Sequence, residues 1–135
     1  MEILARYSVP DPKRSVFELF VTAVPFLLLW ALMLRCLENY GYWACLPLAL
    51  PTAGFLVRLF MIQHDCGHGS FFVRRSANDR IGRIIGVLTL TPYDYWRRTH
   101  AVHHATTGNL DPRGIGGVHV LTVGEDRGLS GWRRI

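Results

Sequence analysis

The sequence lacks most of the features that place a small protein in a class. It has no CxxC pair, and its three cysteines, Cys36, Cys45 and Cys66, are too few and too scattered for a disulfide framework. They read as reduced, mostly buried thiols. The formal net charge is +5. No basic run interleaved with aromatics accompanies it, so no nucleic-acid partner is expected. There is no internal repeat and no low-complexity segment. The 135 residues leave room for one domain at most. There is also no HExxH: the residue after His64 is Asp65, one methylene short of the general base that an intramembrane zinc protease needs.

What is present is unevenly distributed. Half of the residues are hydrophobic, and they crowd into the first half of the chain. Val16 to Leu34 carries one charge, Glu18. A helix of that length reaches about 28 Å, close to the hydrocarbon thickness of a bilayer. A soluble core helix is rarely apolar on every face, and a signal peptide would be shorter and end in a small-x-small cleavage site. Tyr42 to Ile62 reads as a second span. Pro47 and Pro51 interrupt it, which membrane helices tolerate, and Arg58 near its end is placed to snorkel. The short linker Arg35 to Gly41 makes the two spans a hairpin.

Basic residues flank the hairpin: Arg6, Lys13 and Arg14 before it, Arg74, Arg75, Arg80 and Arg83 after it, and only Arg35 in the linker. The positive-inside rule then puts both ends in the cytoplasm. The stretch Ile81 to Pro92 is too short to cross and contains Arg83, so it reads as an interfacial or re-entrant helix. Gly108, Gly114, Gly116 and Gly117 with Pro112 read as loop. The expected fold is all-α. Residues 1–15 form a cytoplasmic N-terminus, 16–34 and 42–62 an integral membrane helical hairpin, and 63–135 a region of cytoplasmic or interfacial helices.

Five of the six histidines fall in two tight clusters. His64 and His68 are four apart, so on a helix their rings share a face. No turn signal separates them from the second span, so that helix is expected to continue through them. Val57, Met61, His64 and His68 would then form one stripe. His100, His103 and His104 fall within about a 100° arc of a helix. Neutral imidazole is the commonest metal ligand and suits Fe, Zn, Cu or Ni. Crowded cationic rings would repel one another, and a metal removes that problem. Two face-matched clusters therefore point to metal binding, whereas His119, alone in a loop, reads as structural. The two clusters are expected to converge on one centre.

The wording around these clusters carries a resemblance. Gln63-His64-Asp65-Cys66-Gly67-His68-Gly69-Ser70-Phe71-Phe72 resembles the first histidine box of the membrane fatty acid desaturases. Trp96-Arg97-Arg98-Thr99-His100-Ala101-Val102-His103-His104-Ala105-Thr106-Thr107-Gly108-Asn109-Leu110-Asp111 resembles the second, with wording close to the acyl-lipid delta-12 (omega-6) group. The likeness runs from about Pro10 to about Val123. The family carries a third, HxxHH-like box further downstream, and these 135 residues contain none. The chain is therefore expected to be an N-terminal part of such an enzyme. Gly116-Gly117 and Gly124 to Ser130 also depart from the family pattern.

The resemblance implies an O2-dependent oxidoreductase that binds two irons and uses two electrons to introduce a double bond into an acyl chain. It makes His64, His68, His100, His103 and His104 iron ligands. Asp65, Asp94 and Asp111 become candidate acceptors for imidazole N–H groups, and solvated surface charge is the alternative for each. Arg97 and Arg98 become contacts for a lipid phosphate or an acidic electron carrier, or alternatively topology signals. Tyr93, Tyr95 and Trp96 read as headgroup-level anchors. The implied partners are membrane lipid, an acyl-lipid or acyl-thioester substrate, and an electron donor such as ferredoxin or cytochrome b5. The competing readings are a related histidine-box membrane hydroxylase and a non-catalytic membrane metal-binding protein. The expectation for residues 1–135 alone is weak metal binding and no turnover.

Overall fold

The computed structural model describes residues 9–106, 109 and 121–131, and every regular element among them is a helix. In chain order these are α1 (Pro12–Tyr40), α2 (Tyr42–His68), α3 (Arg75–Leu88), α4 (Tyr93–Thr106) and α5 (Val123–Gly128). Asp111, Pro112, His119, Gly108, Gly114, Gly116 and Gly117 lie outside the described residues.

Helix α1 begins where its sequence says a helix should. The Asp11 carboxylate accepts from the backbone N–H groups of Lys13 and Arg14 at 2.9 and 3.5 Å, and Pro12 opens the first turn. The helix does not stop at Leu34. It continues to Tyr40, so the expected linker Arg35 to Gly41 is almost entirely helical. Residues 35–40 include neither Gly nor Pro, and Asn39 donates back to the Arg35 carbonyl at 2.7 Å. Gly41 alone makes the turn, at φ 83°, where a side chain would be strained.

The hairpin itself is as expected. Thr52 donates to the Met33 sulfur at 3.2 Å, Arg58 pairs with Glu18 at 3.0 Å, and Ser15 donates to the Phe71 carbonyl. These pairs run in opposite directions along the chain, which makes α1 and α2 antiparallel. Arg58 does not simply snorkel outward. A carboxylate on the facing helix lies within reach and neutralises it. Neither Pro25 in α1 nor Pro47 and Pro51 in α2 breaks its helix.

Both helices are long and apolar enough to cross a membrane. A soluble core helix would hide such residues, yet Phe20 and Leu28 are 66% exposed, Trp43 80% and Leu50 81%.

The described chain forms two compact units, Met1–Asp94 and Tyr95–Ile135. The core of the first is Phe26, Leu59, Ile62, Cys66, Ile85 and Tyr93, where α1, α2 and α3 meet the start of α4. Helix α3 starts at Arg75 and ends at Leu88, earlier at both ends than the expected Ile81 to Pro92. Its charged first turns, with Arg75 and Arg80, belong to the same amphipathic helix. Its inner face, Asn78, Gly82, Ile85 and Gly86, is buried. Asn78 pins the loop that follows α2: its Oδ1 accepts from the Phe72 N–H at 2.9 Å and its Nδ2 donates to the Phe72 carbonyl at 2.6 Å. The second unit holds most of α4 and the short α5, which a Thr122/Glu125 capping box starts.

Candidate metal centre

Helix α2 runs through the first histidine box, as the missing turn signal predicted, and ends just after it. Gly69 takes the left-handed conformation, φ 75° and ψ 20°. Its N–H donates to the Cys66 carbonyl, and the Ser70 N–H donates to the Asp65 carbonyl, both at 3.0 Å. This is a Schellman ending, which satisfies carbonyls that a helix otherwise leaves orphaned. The last turn is thereby fixed, with His64 and His68 on one face. Their Nε2 atoms lie 3.3 Å apart, and the Asp65 carboxylate lies 3.2 Å from His64 Nδ1. Val57 and Met61 continue the stripe, 60% and 50% exposed.

In the second unit α4 carries the other box, again as expected. The Nε2 atoms of His100 and His104 are 3.0 Å apart. The His103 ring centre lies 5.9 Å from that of His100 and 5.7 Å from that of His104. Trp96 stacks on His100 with centres 4.5 Å apart and planes 17° from parallel.

These distances can be compared with what a metal requires. Two imidazole nitrogens each about 2.1 Å from one ion, at right-angle to tetrahedral spacing, lie roughly 3.0–3.4 Å apart. The i,i+4 pair of each box meets that spacing. A neutral imidazole donating to its neighbour gives the same distance, so each pair is satisfied with or without an ion. The all-imidazole donor set suits iron among other transition metals.

The remaining predicted residues divide. Asp65 stands beside a box histidine. Asp94 accepts a two-bond fork from Arg83, at 2.8 and 3.1 Å. Those hydrogen bonds and the Asp94 charge raise the Arg83 guanidinium above its ordinary value. Asp111 lies outside the described residues. Arg98 is exposed and Arg97 half-buried. Tyr95, 64% exposed, is free to act as a surface anchor. Tyr93 is not: it is 3% exposed and its hydroxyl is bonded inside the first unit. Trp96 is likewise committed to His100. An aromatic run of Tyr-x-Tyr-Trp at a helix start looks interfacial in one dimension, but helical geometry sends neighbours to different faces.

Sequence reasoning missed three buried residues that brace the first box. Gln63 accepts from Thr89 at 2.7 Å and donates to the Thr91 carbonyl at 3.2 Å. Asn78 and Tyr93 are the others. The available signal was the pair Gly82 and Gly86, four apart on α3, which marks a close approach by another group.

A family profile described as fatty acid desaturase matches residues 41–116, more than half of the chain and both boxes. A fatty acid desaturase of Bacillus subtilis is 43% identical over 127 residues, 94% of this chain and 36% of that protein. An sn-1 acyl-lipid omega-3 desaturase (ferredoxin) of Synechocystis is 49% identical over 53 residues, covering 39% of this chain and 15% of that protein. An sn-1 oleoyl-lipid 12-desaturase of Anabaena variabilis is 38% identical over 89 residues, covering 60% of this chain and 25% of that protein. The chain thus spans about a third or less of the length of these relatives. No solved structure matches it. The histidine-bearing helices, their wording and these matches lead to one conclusion: the chain belongs to the fatty acid desaturase family.

Proposed function

We propose that the chain is the part of a membrane acyl-chain desaturase that contributes the first two histidine boxes to a di-iron centre. His64, His68, His100, His103 and His104 are the proposed ligands, and Asp65 a proposed partner for the His64 ring. The observation that carries the reading is the i,i+4 imidazole pair in each box, at 3.3 and 3.0 Å. Bound iron supplies the redox chemistry with O2 that an unactivated methylene requires and that no side chain provides. This chain's own contribution is to present imidazoles at fixed spacing within each box, the first box at the end of the hairpin helix α2. The apolar surfaces of α1 and α2 make membrane lipid the medium. An N-in, C-in hairpin puts the boxes on the cytoplasmic side, the side that Arg74, Arg75, Arg80 and Arg83 mark by the positive-inside rule.

The substrate is an acyl chain carried on lipid or thioester, and Arg97 and Arg98 contact a headgroup phosphate or an acidic electron donor. The names of the Synechocystis and Anabaena relatives support an acyl-lipid, and the former a ferredoxin. Five imidazoles are too few to hold two irons, so residues 1–135 alone bind iron weakly and turn nothing over. The test is reconstitution of these residues in lipid with iron, reductant and ferredoxin, beside the Bacillus relative. The expected result is bound iron below two per chain and no new double bonds. Double bonds above background would contradict the ligand count, and no iron at all would contradict the site.

A further inference from the structure

Tyr93 stands at a junction that the box wording does not describe. It is the first residue of α4, the helix that carries His100, His103 and His104. Its ring lies against α3 where that helix has no side chains to offer. A Cβ built on Gly82 would run into the ring's Cε2, and one on Gly86 would sit 2.6 Å from the Thr91 carbonyl oxygen and 3.4 Å from Tyr93 Cβ. The two glycines, one turn apart, therefore form a notch into which the phenol fits.

At the bottom of that notch the hydroxyl lies 3.0 Å from the Cys66 carbonyl and 2.9 Å from Asp79 Oδ1. Arg75 pairs with the same Asp79 oxygen at 3.2 Å. Cys66 falls between His64 and His68, and its carbonyl is one of those a helix end leaves without an intrahelical partner. Beyond the Gly69 N–H, the single Tyr93 hydroxyl proton is shared between that carbonyl and Asp79. The residue three positions earlier on the same face, Gln63, is tied to Thr89 and Thr91 in the connection that leads to Tyr93. The last turn of α2 is thus held at two points on its buried face. At about 100° per residue, the histidines project from roughly the opposite face.

We propose that Tyr93 is a positioning residue for the first histidine pair. Seated in the Gly82/Gly86 notch, its hydroxyl holds the Cys66 carbonyl and so fixes the turn from which His64 and His68 project. The proposal rests on the reading of that pair as metal ligands. Groups bonded directly to a ligating ring are worth about 10- to 100-fold in metal affinity; Tyr93 acts one step further back, so the low end is expected, and a loosely supported site loses most of its function.

The deciding variant is Tyr93→Phe, which keeps the ring in its notch and removes only the hydroxyl. The whole chain is studied in lipid nanodiscs with three readouts: Co(II) affinity from its absorption bands, helicity, and amide exchange at Gly69 and Ser70 without metal. His64→Ala is the control for the metal reading. We expect His64→Ala to weaken the Co(II) bands more than Tyr93→Phe does, because it removes a ligand and not a support. Tyr93→Phe should weaken affinity about tenfold at unchanged helicity, and should accelerate exchange at Gly69 and Ser70.

Asp79→Asn is the second variant. It leaves the hydroxyl proton to the Cys66 carbonyl and is expected to hold affinity within about twofold of the parent, since the orienting bond that matters survives. Parental affinity and exchange in Tyr93→Phe, with the control weakened, would overturn the positioning role. An equal loss in Asp79→Asn would overturn the route through Cys66. Parental Co(II) bands in His64→Ala would instead sink the ligand reading, and the exchange data would still judge the clamp. If Tyr93→Phe loses its helicity, the hydroxyl supports the fold as a whole, and the specific role is refuted.

Discussion

The two histidine boxes each carry an i,i+4 imidazole pair on a helix, and the bonds described around them come from different places. Around the first, the holding groups come from other elements: Tyr93 from α4, Asn78 and Arg75 from α3, and Thr89 and Thr91 from the connection between them. Around the second, the described bonds run along α4 itself. Trp96 stacks on the ring one turn on, His100 meets His104, and Thr99 and Thr106 donate to carbonyls three and four residues back. The bonds from α3, α4 and the connection between them carry changes at distant positions to the first box, and the stack and bonds along α4 carry changes within that helix to the second.

Substitutions can sharpen or break this contrast. The largest effect is expected from Gly82→Ala. Its methyl would meet the Tyr93 ring, which is part of the core and has nowhere to retreat. Overpacking of this kind costs about 1–3 kcal/mol. Thermal unfolding in lipid should fall by several degrees, and the first box should loosen with it. Unchanged unfolding would mean that the notch is not closed.

A smaller loss is expected in the second region. Trp96→Ala removes the stacked ring over His100 and should cost about 1 kcal/mol, read by the same melt. A loss as large as that of Gly82→Ala would erase the distinction between the boxes.

A gain is expected at Leu90, which caps α3 in a left-handed conformation at φ 54°. The bonds from the Leu90 N–H to the Val87 carbonyl and from the Thr91 N–H to the Gly86 carbonyl repeat the ending seen at Gly69. A left-handed non-glycine residue costs roughly 1–2 kcal/mol, part of which glycine returns as unfolded-chain entropy. Leu90→Gly should therefore stabilise the chain by up to about 1 kcal/mol, raising the melting temperature. A fall would show that the Leu90 side chain, 89% exposed, contributes contacts of its own outside the chain.

The smallest effect concerns pH. Burial first, then the hydrogen bond to Asp79, pushes the Tyr93 hydroxyl from 10.0 up to about 12. The folded state holds this proton more tightly than the unfolded state does. The resulting stabilisation is full below pH 10 and is lost as pH rises toward about 12. Tyr93→Phe should flatten the alkaline limb of the melting profile, and an unaltered limb would assign that limb to other groups.

Much of this was legible in one dimension, for physical reasons that differ by element. The hairpin was readable because two apolar runs long enough to cross a membrane flank a short polar stretch, and the box-bearing helices because i,i+4 spacing puts both rings on one helix face. The extension of α1 to Tyr40 was not, since Arg35, Glu38 and Asn39 look like linker until one notes that only Gly41 breaks the helix. The Glu18–Arg58 pair was hidden because it joins residues forty apart. Tyr93 was misplaced at the membrane surface because its burial depends on two absent side chains, at Gly82 and Gly86, on another helix. Side chains that recognise each other across helices leave no periodic trace.

The central claim is that imidazoles of both boxes bind iron. It is tested most directly by iron K-edge X-ray absorption on the lipid-reconstituted chain loaded anaerobically with Fe(II), alongside His64→Ala and His100→Ala. The account predicts histidine scattering around iron in the parent chain and less bound iron, with fewer imidazoles around it, in each variant. Iron retained in both variants with an unchanged histidine signal would contradict it.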